Sequence, residues 1–573
     1  MKMKFFVLVF AIHCVSACST SQQPVVENSI ADTIYFNARI YTLDSTNPFA
    51  EAVAIKDGDI QYVGSDNIAL SLAGAGTEKV DLNGQVLLPG FIDSHAHPVA
   101  GGAFALALSL DTYASPVDWV EAIADYASTN PDLPVIFGYG FLASAFGTDG
   151  PTRQMLDEVV PDRPVIIMDE GFHGAWTNSL LLKQLGINRQ TKDLVPGFSY
   201  YKRDTQGNPS GYLLEETAGK AMADLNLINE ESVTRGTALI IKTMNSYGIT
   251  AVFDAGALDV ATMQQPVLNA LQASGDFTLR YVGAHMVADP GLMQEAIDTV
   301  VRLRNNSKTE HSHIRVLKIM DDGTVEGKTA AMFTDYQGEP GNKGQTVFNQ
   351  QQLNWLVSAA TSKAMDVHIH ALGERAIHES LNAIETARLA YPQSDSRFAI
   401  CHIQVITDVD LPRFAKLGVI AQSTPLWASY DEEGEHFVSS DQFRRYFRFN
   451  SLKQSGAKLS FGSDFPASGA GMLGMSPLYN IQIGHTRQHP GEDNAPVQPR
   501  TSERLDIASL IRGYTLDAAY QMHMEDQIGS IEIGKKADLV VLDKKLFIVD
   551  PAEISKINVV LTILDGEVVY RQP

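Results

Sequence analysis

Apolar runs broken by Gly/Asp turns open the chain: Ile34–Leu43, Ala52–Gly64 and Val80–Leu88. Each is the length of a short strand and is bounded by turn formers, the pattern of a β-rich segment. The pattern returns at the far end, in Ala537–Asp543 and Val559–Tyr570. β-rich segments therefore bracket the chain, and pairing both ends predicts a small composite β-sandwich from residues 32–88 plus 528–573. Between the brackets, eight apolar runs precede helical stretches: Phe91–His97, Ile249–Asp254, Leu279–His285, Ile314–Met320, Met365–His370, Phe398–His402, Gly418–Ser423 and Lys458–Asp464. Eight strand-then-helix units predict an α/β fold, a (β/α)8 TIM barrel, over residues 89–527. The span between the first two runs is too long for a loop. It carries its own strand-like runs, Val135–Tyr139 and Val165–Asp169, so residues 104–235 are expected to form an inserted α/β subdomain.

Charge and cysteine narrow the setting. The 573 residues carry a formal net charge of −23. That excludes nucleic acid and an anionic membrane surface as expected partners and leaves a small-molecule substrate. Met1-Lys-Met-Lys4 is a basic start and Phe5–Ile12 an apolar core, the form of a secretory signal. Val15-Ser-Ala-Cys18 resembles a bacterial lipobox, so residues 1–18 are expected to be a signal peptide ending in a lipidated Cys18, with residues 19–31 a polar tether. Cleavage near Ala17 as an ordinary signal peptide is the alternative. The expected location is the bacterial cell envelope, lipid-anchored and facing the periplasm, and Ser19 after the cysteine resembles outer-membrane sorting. Cys14 is then removed and Cys18 acylated, which leaves Cys401 alone and allows no intramolecular disulfide.

The strand ends carry the chemistry. In a TIM barrel the active site gathers at the C-terminal ends of the strands. The first ends in His95-Ala-His97, where residues i and i+2 share a face and supply half a zinc site. His370, His402 and Asp464 close the fifth, sixth and eighth. Lys318 interrupts the apolar fourth, and a buried charge needs a partner or a role. The plainer readings are hydrogen-bonded histidines in a turn and a lysine paired to Asp321 or Asp322. Four strand ends of ligand type in barrel order favour a metal site.

The pieces Pro89-Gly-Phe-Ile-Asp-Ser-His-Ala-His-Pro98, Val316-Leu-Lys-Ile-Met-Asp-Asp-Gly323, His370-Ala-Leu-Gly-Glu-Arg375, His402-Ile-Gln404, Gly462-Ser-Asp-Phe-Pro466 and Gly529–Asp538 together resemble the amidohydrolase superfamily, in its branch containing N-substituted formamide deformylases. The resemblance implies one metal at His95, His97 and Asp464, and a second at His370 and His402. It also implies a carboxylated Lys318 bridging them, a reaction that requires the neutral amine favoured by burial. One or two divalent transition-metal ions are expected, zinc first among them. Within the insertion, Gly171–Ser179 and Pro209–Glu215 resemble the same branch. His173 is by that resemblance a candidate for polarising the substrate carbonyl, or a loop histidine packed on Trp176. Glu215 either contacts substrate or caps a helix. Phe141, Trp176 and Trp427 hint at an apolar or aromatic substrate pocket, with plain core packing the alternative. His368 is a rival ligand or a hydrogen-bonded histidine one layer deeper. Cys401 is a departure, since an acidic residue is common before the sixth-strand histidine. The expected activity is metal-dependent hydrolysis of a non-peptide C–N bond, with Asp464 moving the proton. A lactone, phosphoester or cyclic-amide hydrolase, or a surface binding lipoprotein without catalysis, are the alternatives.

Overall fold

The computed structural model describes residues 29–111, 114–169, 173–194, 199–430, 432–467, 470–492, 494–498 and 500–573. The expected signal segment and Cys18 lie outside these residues. Eight parallel strands follow one another in chain order: Phe91–Ala96, Ile249–Asp254, Arg280–Val287, Ser312–Met320, Asp366–Ala371, Phe398–His402, Val419–Ser423 and Lys458–Phe461. These are the eight runs legible in the sequence, and with their helices they form a TIM barrel. The ring closes through backbone hydrogen bonds just past the last strand. Asp464 N–H donates to the His95 carbonyl at 2.7 Å and His97 N–H to the Phe465 carbonyl at 2.8 Å.

Side chains along these strands alternate between two apolar layers, as period-two geometry requires. Leu317, Ile319, Val367, Ile369, Phe398 and Ile400 join the core between strands and helices. Ile92, Ala251, Phe253, Val282 and Val316 form a separate inner core with Ala518, Ala519 and Met522, around the helix Leu516–Gln521. Lys318, His368, His370 and Cys401 have the parity of the inner layer. The same alternation that buries the aliphatic residues outward therefore aims these four inward.

Two sheets built from both chain ends share another core. Arg39–Tyr41 and Val86–Pro89 lie in one sheet with Leu539–Leu542 and Val559–Leu564, while Ala31–Phe36, Ala52–Lys56 and Asp59–Gly64 lie in the other. Tyr35, Val53 and Ile55 of the second sheet meet Leu87, Leu539 and Leu561 of the first. A six-stranded sheet runs from Leu108–Ser109 to Pro209–Leu214 and Tyr201–Arg203, with Ile136–Phe141 and Val165–Asp169 parallel within it. It packs on helices including Pro116–Thr129 and Arg153–Val159, whose Trp119, Ile123 and Leu156 fill its core.

A buried ion pair ties the barrel to the terminal strands. Arg280, first residue of the third barrel strand, donates through Nε and Nη2 to both oxygens of Asp538 at 2.8 and 2.9 Å. The same guanidinium reaches Asp565, which also accepts from His311 Nε2 at 2.7 Å. Burial works to raise the Asp565 carboxyl, but the His311 hydrogen bond and the Arg280 charge hold it down at about 2. Removing one partner of such a pair leaves a buried charge uncompensated, at a cost of about 3–5 kcal/mol. Asp538→Ala leaves Arg280 only its contact to Asp565, so the urea unfolding free energy is expected to fall by less than that amount, and an unchanged midpoint would remove the clamp from the account. Because the folded pKa of Asp565 lies below its ordinary 3.8, its contribution is complete above that value and fades as pH falls toward about 2.

Candidate metal centre

Five side chains, four of them buried and His370 part-exposed, converge at the C-terminal mouth of the barrel. Asp464 Oδ1 lies 3.2 Å from His95 Nε2 and 3.2 Å from His97 Nε2, so one carboxylate oxygen faces both imidazoles. Its other oxygen is 3.9 Å from His402 Nδ1. The His402 ring in turn lies 4.5 Å from that of His370 and 4.9 Å from that of His95. His95 Nε2, His370 Nε2 and His402 Nδ1 are buried without a hydrogen-bond partner. Buried polar atoms are nearly always satisfied, so three such nitrogens on neighbouring rings suit the binding of a cation. Burial, with the Lys318 charge next, lowers His370 to about 3, and burial holds His95 and His402 well below the usual imidazole value. Neutral imidazoles keep the lone pair that a metal takes. Burial also works to raise Asp464, but the His97 hydrogen bond and the neighbouring positive charges, Lys318 among them, outweigh it, and the carboxyl stays ionised. Imidazoles and a carboxylate suit a divalent transition metal.

The backbone is bent to bring these groups in. The first strand slips one residue against the second between Asp93 and Ala96, a bulge that re-aims the side chains beyond it. His402, Ile403 and Asp464 have φ of 76°, 51° and 52°, a region non-glycine residues rarely occupy and one that concentrates at functional sites. Gly462 has to be glycine, because a Cβ there would meet the His95 backbone nitrogen at 2.3 Å.

A second layer orients the ligands. His97 Nδ1 lies 2.7 Å from the Gly256 carbonyl, which fixes its proton there and leaves Nε2 facing Asp464. Gly256 N–H donates to Asp254, which also accepts from the Tyr281 hydroxyl. His95 Nδ1 is 2.9 Å from His368 Nε2, and the His368 ring lies against Phe253 at 4.8 Å. His368 therefore stands behind His95, one layer down. Asp93 accepts from Ser463 Oγ and N at 2.6 and 3.0 Å and from His95 N at 3.2 Å, bolting the first strand to the eighth. Burial raises its carboxyl to about 6. Sequence reasoning passed over Asp93 and Tyr281. The i, i+2 series Asp93, His95, His97 was the available signal for the first, and Tyr281 had none.

Lys318 is 1% exposed, and its Nζ donates to Cys401 Sγ at 3.1 Å. Neither expected alternative partner takes it: the buried Asp321 carboxylate has no hydrogen-bond partner, and Asp322 is engaged elsewhere. Asp322 accepts from the backbone of Ala331, Leu372 and Gly373, and no ion pair to Lys318 occurs among the described residues. Burial pushes the Cys401 thiol up to about 12, which argues against a free thiolate nucleophile.

Other expected residues fall elsewhere. Trp176 is corrected: it is wholly buried with Trp119, Phe141 and Phe146 in the core of the inserted sheet, and its indole N–H donates to the Thr152 carbonyl. Its ring, like that of Phe141, is spent on packing and offers no face to a substrate. Trp427 is half-buried, with its ring 5.5 Å from that of His402, and forms part of the wall of the centre. His173 is exposed and pairs through Nδ1 with Glu215 Oε2 at 3.0 Å, while its backbone N–H donates to Asp169. Glu215 occupies the N-cap position of the helix Glu216–Asp224 at φ 53°, yet its carboxylate makes no cap bond and serves His173 instead.

The amidohydrolase family profile matches residues 78–570, and the chain belongs to that family. It is 28% identical to N-substituted formamide deformylase of Arthrobacter pascens over 94% of this chain and 98% of that one. It is 29% identical to the exoenzymes regulatory protein AepA of Pectobacterium carotovorum over 76% of this chain and 94% of that one. Among solved structures, an uncharacterized metal-dependent hydrolase from Pyrococcus furiosus superposes with a TM-score of 0.71 at 22% identity, covering 91% of this chain and 99% of that one. The fold and the family thus define an amidohydrolase-type enzyme.

The two tryptophans separate packing from recognition. Trp176→Ala is expected to cost about 3–5 kcal/mol of stability as a large core truncation. Trp427→Ala should leave the unfolding midpoint nearly unchanged and raise KM. A stable Trp176→Ala protein with an altered KM would return that residue to the substrate pocket.

Proposed function

We propose that the protein hydrolyses a C–N bond of a non-peptide amide, using one or two divalent transition-metal ions, zinc first among them. The observation that carries this reading is the convergence of His95, His97 and His402 on the Asp464 carboxylate, with the His95 and His402 nitrogens buried and unpartnered and the His370 ring beside His402. The deformylase activity named for the Arthrobacter relative supports the choice of bond. His95, His97 and Asp464 would hold one ion, and His370 and His402 a second, with Lys318 as a bridge once carboxylated. A divalent ion in such a set supplies Lewis acidity, which makes water a nucleophile at neutral pH and polarises a carbonyl.

The chain's own groups do the rest. Asp464, held ionised, takes the proton from the attacking water and returns it to the leaving nitrogen. The Gly256 carbonyl keeps His97 in the tautomer that leaves Nε2 free. Lys318 retains an N–H for Cys401 in either form, since an ammonium has three protons and a carbamate nitrogen one. His173 is assigned the contact to the substrate carbonyl oxygen: the Glu215 hydrogen bond raises its pKa and keeps an N–H available for donation. Glu215 positions it. Trp427 lines the acyl or amine side of the pocket.

Protein purified without chelator should contain transition metal by mass spectrometry, and chelation should abolish hydrolysis of N-formyl and N-acyl amines, with zinc or manganese restoring it. Asp464→Asn should reduce kcat/KM by about 10²–10⁴-fold, the usual worth of a positioned acid–base group. Near-normal turnover in that variant would sink the proton-transfer role. Turnover of lactones or phosphoesters but not amides would move the activity within metal hydrolysis, and absence of any metal uptake would favour a binding lipoprotein.

We also propose that Cys18 carries the lipid that holds the protein in the cell envelope, facing the periplasm. Labelled palmitate should enter the wild-type chain and fail to enter Cys18→Ser, and a soluble, unlabelled wild type would leave only ordinary signal cleavage.

A further inference from the structure

We propose that Cys401 is itself a metal ligand, its sulfur joining the donors of the centre between His95, which holds one ion, and His402, which holds the other. This inference rests on the metal-hydrolase reading above and adds a donor that the family resemblance does not supply. The ligand atoms of His95, Cys401 and His402 all lie within 4.8 Å of one another, and all three residues are buried. His95 Nε2 and His402 Nδ1 are two of the nitrogens without a hydrogen-bond partner. The sulfur therefore stands beside two imidazoles that each carry an unpartnered buried nitrogen.

The backbone explains how neighbours in sequence reach one ion. In a regular strand Cys401 and His402 would point to opposite faces. Ile400 points outward into the helix-facing core, and Cys401 points inward. The φ of 76° at His402 breaks the alternation and turns the next side chain inward as well. Cysteine and histidine then flank the same space.

The present contacts of the sulfur allow it. As a thiol, Cys401 donates to the Ile369 carbonyl at 3.2 Å and accepts from Lys318 Nζ at 3.1 Å. On metal binding the S–H bond breaks, the electron pair stays on sulfur and becomes the ligand bond, and the proton leaves to solvent. The Lys318 N–H remains as a donor to the thiolate. A soft sulfur donor biases the centre toward zinc or cobalt and away from manganese or magnesium.

Cobalt(II) tests this directly, because a thiolate bound to cobalt gives a near-ultraviolet charge-transfer band while visible ligand-field bands report binding alone. Metal-free full-length protein is titrated with cobalt(II) without air, beside Cys401→Ser and a Cys14→Ser/Cys18→Ser double variant. We expect the charge-transfer band in the wild type and the double variant and its loss in Cys401→Ser, whose ligand-field bands persist. Zinc affinity in Cys401→Ser should fall by more than the roughly 10–100-fold typical of losing an outer-layer partner. Ligand-field bands in the wild type without a charge-transfer band overturn the sulfur ligand and leave the hydrolase reading standing. So does a charge-transfer band that survives in Cys401→Ser. No cobalt uptake by the wild type overturns both. If Cys401→Ser does not fold, judged by circular dichroism, the wild type and the double variant decide the question.

Discussion

The seam where the eighth strand meets the first governs the rest of the structure. Strand pairing in the ladder sense stops at Phe461, and the ring is completed by the exchange of Asp464 N–H with the His95 carbonyl and His97 N–H with the Phe465 carbonyl. The residues that close the barrel are thus the residues that form the centre. Asp93 bridges the same seam through Ser463, and Gly462 permits the backbones to approach. A distortion large enough to open the seam also separates Asp464 from both histidines. Stability of the ring and geometry of the site are one constraint, which is why so many unusual features crowd there: a bulge, a close-approach glycine, a buried carboxyl and non-glycine residues at positive φ.

Around that seam the barrel sorts side chains by depth. Outward residues form a continuous aliphatic layer against the helices, and inward residues change character from aliphatic near Ile92 and Val316 to polar at Lys318, His370 and His402. His368 sits at the boundary, apolar on its Phe253 side and hydrogen-bonded to His95 on the other. The polar layer is buried yet incompletely satisfied, an arrangement that costs stability unless another group completes it.

The eight barrel strands were legible because each is an apolar run, most of them closed by a polar residue, and period two tells which residues share a face. Lys318 stood out for the same reason, as a charge in an apolar strand. What was not legible depends on contacts between distant segments. Nothing local distinguishes Tyr281 as the support of Asp254, or Lys318 as the partner of Cys401 rather than of its neighbours Asp321 and Asp322. Trp176 is ambiguous in the sequence because an aromatic residue in a motif of the insertion looks the same whether it lines a pocket or fills a core, and only its contacts with Trp119, Phe141 and Phe146 decide. The sequence places Glu215 equally at a substrate contact or a helix cap, and the structure puts it at the cap position with its carboxylate turned to His173.

The strand Val86–Pro89 pairs on one side with Arg39–Tyr41 and on the other with Leu539–Leu542. Its second neighbour comes from the opposite end of the chain. During synthesis the whole barrel must leave the ribosome before that neighbour exists. Until then Val86–Pro89 presents an open edge of unpaired N–H and C=O groups, the kind of edge that recruits wrong partners. Arg280 likewise waits for Asp538 and Asp565 with its charge uncompensated. Loop-closure entropy grows only slowly with length, so the delay is one of time rather than of final stability. The last few dozen residues thus act as a completion signal, and the nascent chain stays exposed to mispairing, and to any chaperone that prevents it, for nearly its full length.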